Sequence, residues 1–235
     1  MTPKILSFLV GKGGAAKTTL AYSVGKYAHD QGSKVLLIDA DPNTSLTNQY
    51  ERRVASHSNG YIKELDFPEV RSMNPNMKAG VASQIRKQAE SFDLVIVDLA
   101  GSFNPFQEAV ALCSDMIIVP TKTEDKFVQP ALDTMDILTE LQEANNGLPI
   151  VALARMAFPR RGIVAGSQNK KLEEFSCLTN FTTPYPKQYE ISDIFGYSIT
   201  ELDKIGTKTE NESASTCAIQ MRHLCKEILD IVEAI

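Results

Sequence analysis

The chain has 235 residues, with 24 Lys and Arg against 29 Asp and Glu, a formal net charge of -5 and a pI near 5.3. That length suits one α/β domain, and the acidic balance argues against a protein that coats nucleic acid over its whole surface, though a local basic patch is still allowed. An apolar content of 43% sustains a core and excludes a mainly disordered chain, and no apolar run approaches the ~20 residues of a membrane span.

In chain order, the apolar run Ile5–Val10 reads as a first strand, and a glycine-rich segment follows it directly. Lys17–Gln31 reads as a helix with Leu20, Val24, Tyr27 and Ala28 on one face and Gly32 as its C-cap. Val35–Ile38 is the next strand; residues 43–78 look loop-like, rich in Asn, Ser and Pro, with a short strand near Val70. Leu94–Val97 and Met116–Val119 are strands, separated by a helix that Asn104-Pro105 caps and that reaches about Cys113. Val128, Ala131, Leu132, Met135, Leu138 and Leu141 mark a helix closed by Asn145-Asn146-Gly147, before a strand at Ile150–Ala154. Residues 156–213 are mixed, and a last helix over 214–234 aligns Met221, Leu224, Cys225, Ile228, Val232 and Ile235. The strand runs are continuous rather than alternating, as for strands buried on both faces. Strand then helix, repeated, predicts a doubly wound, mostly parallel sheet flanked by helices, in a single domain over residues 1–235.

The strongest chemical signal is Gly11-Lys12-Gly13-Gly14-Ala15-Ala16-Lys17-Thr18-Thr19, between the first strand and the first helix. Glycines let backbone N–H groups curl round a phosphate, and the helix N-terminus adds favourable partial charge. Lys17 is placed to reach β- and γ-phosphates, and the Thr18 hydroxyl to bind Mg²⁺. A strict P-loop needs glycine at position 16, where this chain has Ala16. A left-handed backbone there would cost alanine on the order of 1 kcal/mol.

Lys12, five residues before Lys17, makes this loop resemble the deviant Walker A box, K-G-G-x-x-K-[ST]-[ST], of the ParA/MinD family of ATPases. The rest of the chain follows that pattern. Asp39-Ala40-Asp41-Pro42 after Val35–Ile38 looks like the family's D-x-D-P motif, with Asn43 where Gln is usual, and Leu94–Gly101 looks like Walker B, with Asp98 at the end of its strand. The resemblance implies a P-loop ATPase that uses ATP and Mg²⁺ in an ATP-dependent homodimer. Lys12 would reach the nucleotide of the partner subunit, and Lys17 would stabilise phosphate charge. Asp41 would orient the attacking water, no glutamate following Asp98 to do so. Thr18, Asp39 and Asp98 would organise the metal, and the loop from Gly11 to Thr19, through Gly13, Gly14, Ala15 and Ala16, would cradle the phosphates. Arg155, after the strand that ends near the adenine in the family, would contact the nucleotide.

The loop begins at residue 11, as in the small plasmid-type partition ATPases. That likeness implies non-specific DNA binding by the dimer and a separately encoded ParB-like or cargo adaptor that stimulates hydrolysis. Residues 155–172 carry Arg155, Arg160, Arg161, Lys170 and Lys171 and no acidic residue. The last four are the candidate DNA contacts. A cytoplasmic, nucleoid-associated protein is the expectation. MinD-like membrane positioning is the first alternative, but the final helix is acidic on balance and lacks aromatics, unlike a basic interfacial helix. A metabolic enzyme of the same fold is the second. Dethiobiotin-synthetase-like ligases generally lack the early lysine, and a nitrogenase-iron-protein-like cluster needs a second cysteine beside Cys113. Cysteines at 113, 177, 217 and 225 form no C-x-x-C pair, and His29, His57 and His223 form no ligand set, so reduced thiols and no zinc site are expected.

Overall fold

The computed structural model describes residues 2–122, 124–156, 163–173, 175, 178, 186–205 and 211–235. Its centre is a six-stranded sheet of β1 (Lys4–Phe8), β2 (Val35–Ala40), β3 (Glu69–Ser72), β4 (Leu94–Leu99), β5 (Met116–Thr121) and β6 (Ile150–Arg155). Every pairing is parallel, in the order β3-β2-β4-β1-β5-β6. Because successive side chains leave a strand on opposite faces, the continuous apolar runs feed two cores. Leu6, Phe8, Leu37 and Ile96 pack under α1 (Lys17–Asp30) and α8 (Asn211–Ala234). Ile5, Leu36, Ile38, Val95 and Val97 pack under α3 (Val81–Ala89), α4 (Pro105–Cys113) and α5 (Asp125–Ala144), with α2 (Ser45–Ser58), α6 (Ile163–Leu172) and α7 (Pro186–Phe195) completing the helices of the described residues.

The doubly wound parallel architecture is the one the sequence predicts. The Asn104 cap is present, its side chain accepting from Phe106 N at 2.8 Å with Pro105 opening α4. The apolar face of α8 is taken up by the core, with Cys217, Met221, Leu224, Cys225 and Ile228 buried. No helix of the described residues is long and apolar enough to cross a membrane. The loop-like reading of residues 43–78 needs correction. Besides the expected strand around Val70, the segment holds α2, whose buried positions Leu46, Gln49, Arg53 and Ser56 recur at helical spacing but are mostly polar.

Those polar positions enter a buried network at the back of α1. Arg53 binds both carboxylate oxygens of Glu201, at 2.8 and 2.9 Å, and donates to the Asp66 carbonyl at 3.3 Å. Glu201 lies in a short 3-10 helix, Ile199–Lys204, and also accepts from Ser198 N at 3.0 Å. Lys26 of α1 lies 3.8 Å from the same carboxylate, the Tyr22 hydroxyl donates to the Gly196 carbonyl at 3.0 Å, and Phe67 lies against the Arg53 guanidinium. Gly196 allows α7 to meet α2, since a Cβ there would lie 2.6 Å from the Gln49 carbonyl oxygen. The network thus joins α1, α2 and the chain just after α7, and the helices α1, α2 and α7 all line the cleft described next.

Candidate functional site

β1 leads from the middle of the sheet into the glycine-rich loop, between β4 on one side and β5 on the other. Gly11–Gly14 are exposed at the carboxyl edge of the sheet, where ligands of open parallel sheets bind. The loop is held from both sides. Gly11 N–H donates to Thr134 Oγ1 of α5 at 3.1 Å, and that hydroxyl donates to the Pro130 carbonyl at 2.6 Å. On the opposite side Gly101, just past β4, lies flat on the loop: a Cβ there would sit 2.8 Å from Gly13 N and 3.0 Å from the carbonyl carbon of Lys12.

The alanine that replaces the glycine before Lys17 does adopt the glycine conformation. Ala16 stands at φ 70°, ψ 28°, as N-cap of α1, and its carbonyl accepts the first helical bond from Leu20 N at 3.0 Å. The left-handed region costs an L-residue ~1–2 kcal/mol. Glycine at this position removes that cost but adds ~0.4–1 kcal/mol of unfolded-state freedom. We therefore expect Ala16→Gly to stabilise the nucleotide-free chain by about 0.5–1 kcal/mol, the difference between those terms. A urea midpoint that falls instead would show that the methyl group's packing outweighs the strain.

Lys17 and Asp98 are buried charges beneath the loop. Lys17 is 6% exposed and its Nζ approaches the Lys12 carbonyl at 3.5 Å. Burial lowers its pKa, while Asp98 and Asp41 hold it up. Asp98, fully buried at the end of β4, accepts from Thr18 Oγ1 at 2.7 Å through Oδ2, while its Oδ1 is buried with no hydrogen-bond partner among the described residues. Burial pushes its pKa up to about 7, against the pull of the Thr18 hydrogen bond and Lys17, with Asp39 and Asp41 adding to the rise. A carboxylate oxygen with no partner beside a hydroxyl is the hard-oxygen donor set that suits Mg²⁺, and a cation there would favour the ionised form.

The two aspartates after β2 differ in their surroundings. Asp39 pairs in register with Asp98 across β2 and β4. Its Oδ1 accepts from Asp41 N at 3.2 Å and its Oδ2 from Thr47 N at 2.8 Å. It therefore clamps the loop to the first turn of α2, and Thr18 with Asp98 is the pair best disposed toward a cation. Asp41 lines the cleft, half-buried, and its Oδ1 accepts from Asn43 N at 2.8 Å and Asn43 Nδ2 at 2.9 Å. Among the described residues its Oδ2 has no hydrogen bond, so that oxygen can accept from a water. Asn43 in place of the usual Gln is thus the residue that orients Asp41.

The cleft has a volume of about 570 Å³, within the usual range for a small-molecule site. Gly13, Gly14, Lys17 and Thr18 form one side, Asn48, Gln49 and Arg52 of α2 another, and Tyr189 and Asp193 of α7 a third. Arg52 and Asp193 form an ion pair between those two helices. Lys12 is exposed on the loop. Arg155 ends β6, two strands from β1, and does not line the cleft; its buried Nε has no hydrogen-bond partner among the described residues. Lys170 and Lys171 are exposed in the last turn of α6, and Arg160 and Arg161 lie outside the described residues. Sequence reasoning picked out Gly101 only as the end of the Walker B run, and it missed Thr134, Lys122, which also lines the cleft, and the α2–α7 wall.

The family model described as VirC1 protein matches residues 3–234. The virC1 protein of Rhizobium radiobacter is 26% identical over 181 residues, covering 77% of this chain and 75% of that relative. A probable plasmid-partitioning protein ParA of Thermus thermophilus is 25% identical over 166 residues, 60% of this chain, and the match spans about half of that relative's length, 52%. Among solved structures, the septum site-determining protein MinD of Pyrococcus horikoshii, complexed with Mg-ADP, superposes with a TM-score of 0.67 at 16% identity, covering 99% of this chain and 100% of that one.

Proposed function

We propose, from the premise that this chain belongs to the VirC1 protein family and with it to the ParA/MinD deviant Walker A ATPases, that it is a Mg²⁺-dependent ATPase whose ATP-bound homodimer binds DNA without sequence preference and positions a DNA or protein cargo. The carrying observation is the buried Asp98 with one oxygen on the Thr18 hydroxyl and the other without a hydrogen-bond partner among the described residues, beneath a loop that also buries Lys17. In this reading the loop N–H groups and Lys17 bind the β- and γ-phosphates, Thr18 and Asp98 hold the cation, and Asp41 presents Oδ2 to the attacking water. Mg²⁺, when bound, neutralises charge on the phosphate oxygens. Lys12, exposed on the loop, reaches the nucleotide of the second subunit. A separately encoded adaptor stimulates hydrolysis and releases the dimer from DNA.

The test is binding to a random-sequence duplex at two salt concentrations with no nucleotide, with ADP, and with ATP plus Mg²⁺. Salt-sensitive binding confined to the ATP state is the expected result, since phosphate contacts release counterions. Binding in no state, with ATP still hydrolysed, rejects the DNA-carrier reading. In the same assay Lys12→Ala should abolish both ATP-driven dimerisation and DNA binding. A variant that dimerises as wild type does would remove Lys12 from the partner's site.

A further inference from the structure

We propose that Lys122 is a phosphate-binding residue of this cleft, acting from the β5 side opposite the Thr18–Asp98 pair; the inference rests on the nucleotide-binding reading above. Strand order puts it there. β1 lies between β4 and β5, so the loop that leaves β1 has Asp98 at the end of one neighbour and Lys122 just past the end of the other. Lys122 lines the same cleft as Gly13, Gly14, Lys17 and Thr18.

Its surroundings suit an anion. The ammonium lies 5.1 Å from the centroid of Phe127, and that ring also supports the loop, its Cε1 3.6 Å from where a Gly14 Cβ would be. Phe127 is buried, with Lys126 at 5.0 Å from the same ring, itself bound to Glu124 at 3.2 Å. The ring therefore holds the Lys122 ammonium beside the loop through its face, a contact that uses none of the three N–H donors in a hydrogen bond. Burial lowers the Lys122 pKa; Glu124 opposes that effect and Lys126 adds to it. A partly desolvated cation at a cleft wall gains most from a multiply charged acceptor, and a polyphosphate is one. A cation held by Thr18 and Asp98 neutralises phosphate charge from the β4 side, and Lys122 neutralises it from the β5 side.

The experiment compares wild type, Lys122→Met and Lys122→Arg as full chains, each checked by circular dichroism. Equilibrium binding of ATP and ADP with Mg²⁺ is measured, together with competition by inorganic triphosphate. Met should weaken ATP, ADP and triphosphate alike by tenfold or more, and Arg should recover most of the loss. Unchanged affinity in the Met variant overturns the proposal. So does a loss seen with the nucleotides and not with triphosphate, which would place Lys122 on the sugar or base. A wild-type chain that binds neither nucleotide nor triphosphate rejects the nucleotide reading itself, which separates the two failures.

Discussion

Arg53→Ala is expected to lower the unfolding free energy by about 3–5 kcal/mol, the range for breaking one side of a buried ion pair. Arg53 is 2% exposed and Glu201 7%. Removing the guanidinium leaves a carboxylate in the core with, among the described residues, Ser198 N and the more distant Lys26 to meet its charge. It also deprives the Asp66 carbonyl of a donor and Phe67 of its cation. Urea unfolding followed by two probes measures the loss and checks that the transition is two-state. Pairing the substitution with Glu201→Gln should return part of it, since the stranded charge is then gone. Full recovery would assign the cost to the charge alone, and a loss below ~1 kcal/mol, typical of an exposed pair, would show that water reaches the network. Because α2 and α7 both line the cleft, the variant should also bind nucleotide less tightly, at temperatures where it remains folded.

This network explains where sequence reading stopped. β1, β2, β4, β5 and β6 are legible because burial on both faces leaves an unbroken apolar run, as in Val35–Ile38 or Leu94–Val97. α2 is not, because beyond Leu46 its inward face is Gln49, Arg53 and Ser56, and polar residues at helical spacing look like a solvated loop until a partner such as Glu201, 148 residues from Arg53, is known. α3 shows only Val81, Ile85 and Ala89 across nine residues. The site divides along the same line. Asp39, Asp41 and Asp98 sit at or just past the ends of readable strands, and Lys17 and Thr18 open the first helix, all in motifs with their own spacing. Thr134 reaches the loop, and Lys122 the cleft, only because β5 happens to lie beside β1, which no local pattern encodes. Ala16 is the reverse case: the sequence exposed a departure from pattern, and the backbone shows that the geometry was kept.

Gly101→Ala and Gly13→Ala, taken together, separate what shapes the loop from what the loop binds. A Cβ on Gly13 meets nothing within 4 Å, so this substitution should leave the nucleotide-free chain as it is and act only by intruding into the phosphate cradle. A Cβ on Gly101 falls 2.8 Å from Gly13 N, against backbone that cannot rotate away as a side chain can. The loop or the segment after β4 must shift before any ligand arrives. Residue 101 is not in the left-handed region, so alanine there carries no backbone penalty of its own, and the effect is the collision alone. Both variants should weaken ATP binding by at least about tenfold, or ~1.4 kcal/mol. Only Gly101→Ala should also speed amide exchange of Gly13 and Gly14 in the free protein, because local opening free energy falls where packing is disturbed. If Gly101→Ala binds ATP as wild type does, the segment after β4 has room to yield, and the loop's shape is held by Thr134 and α5 instead.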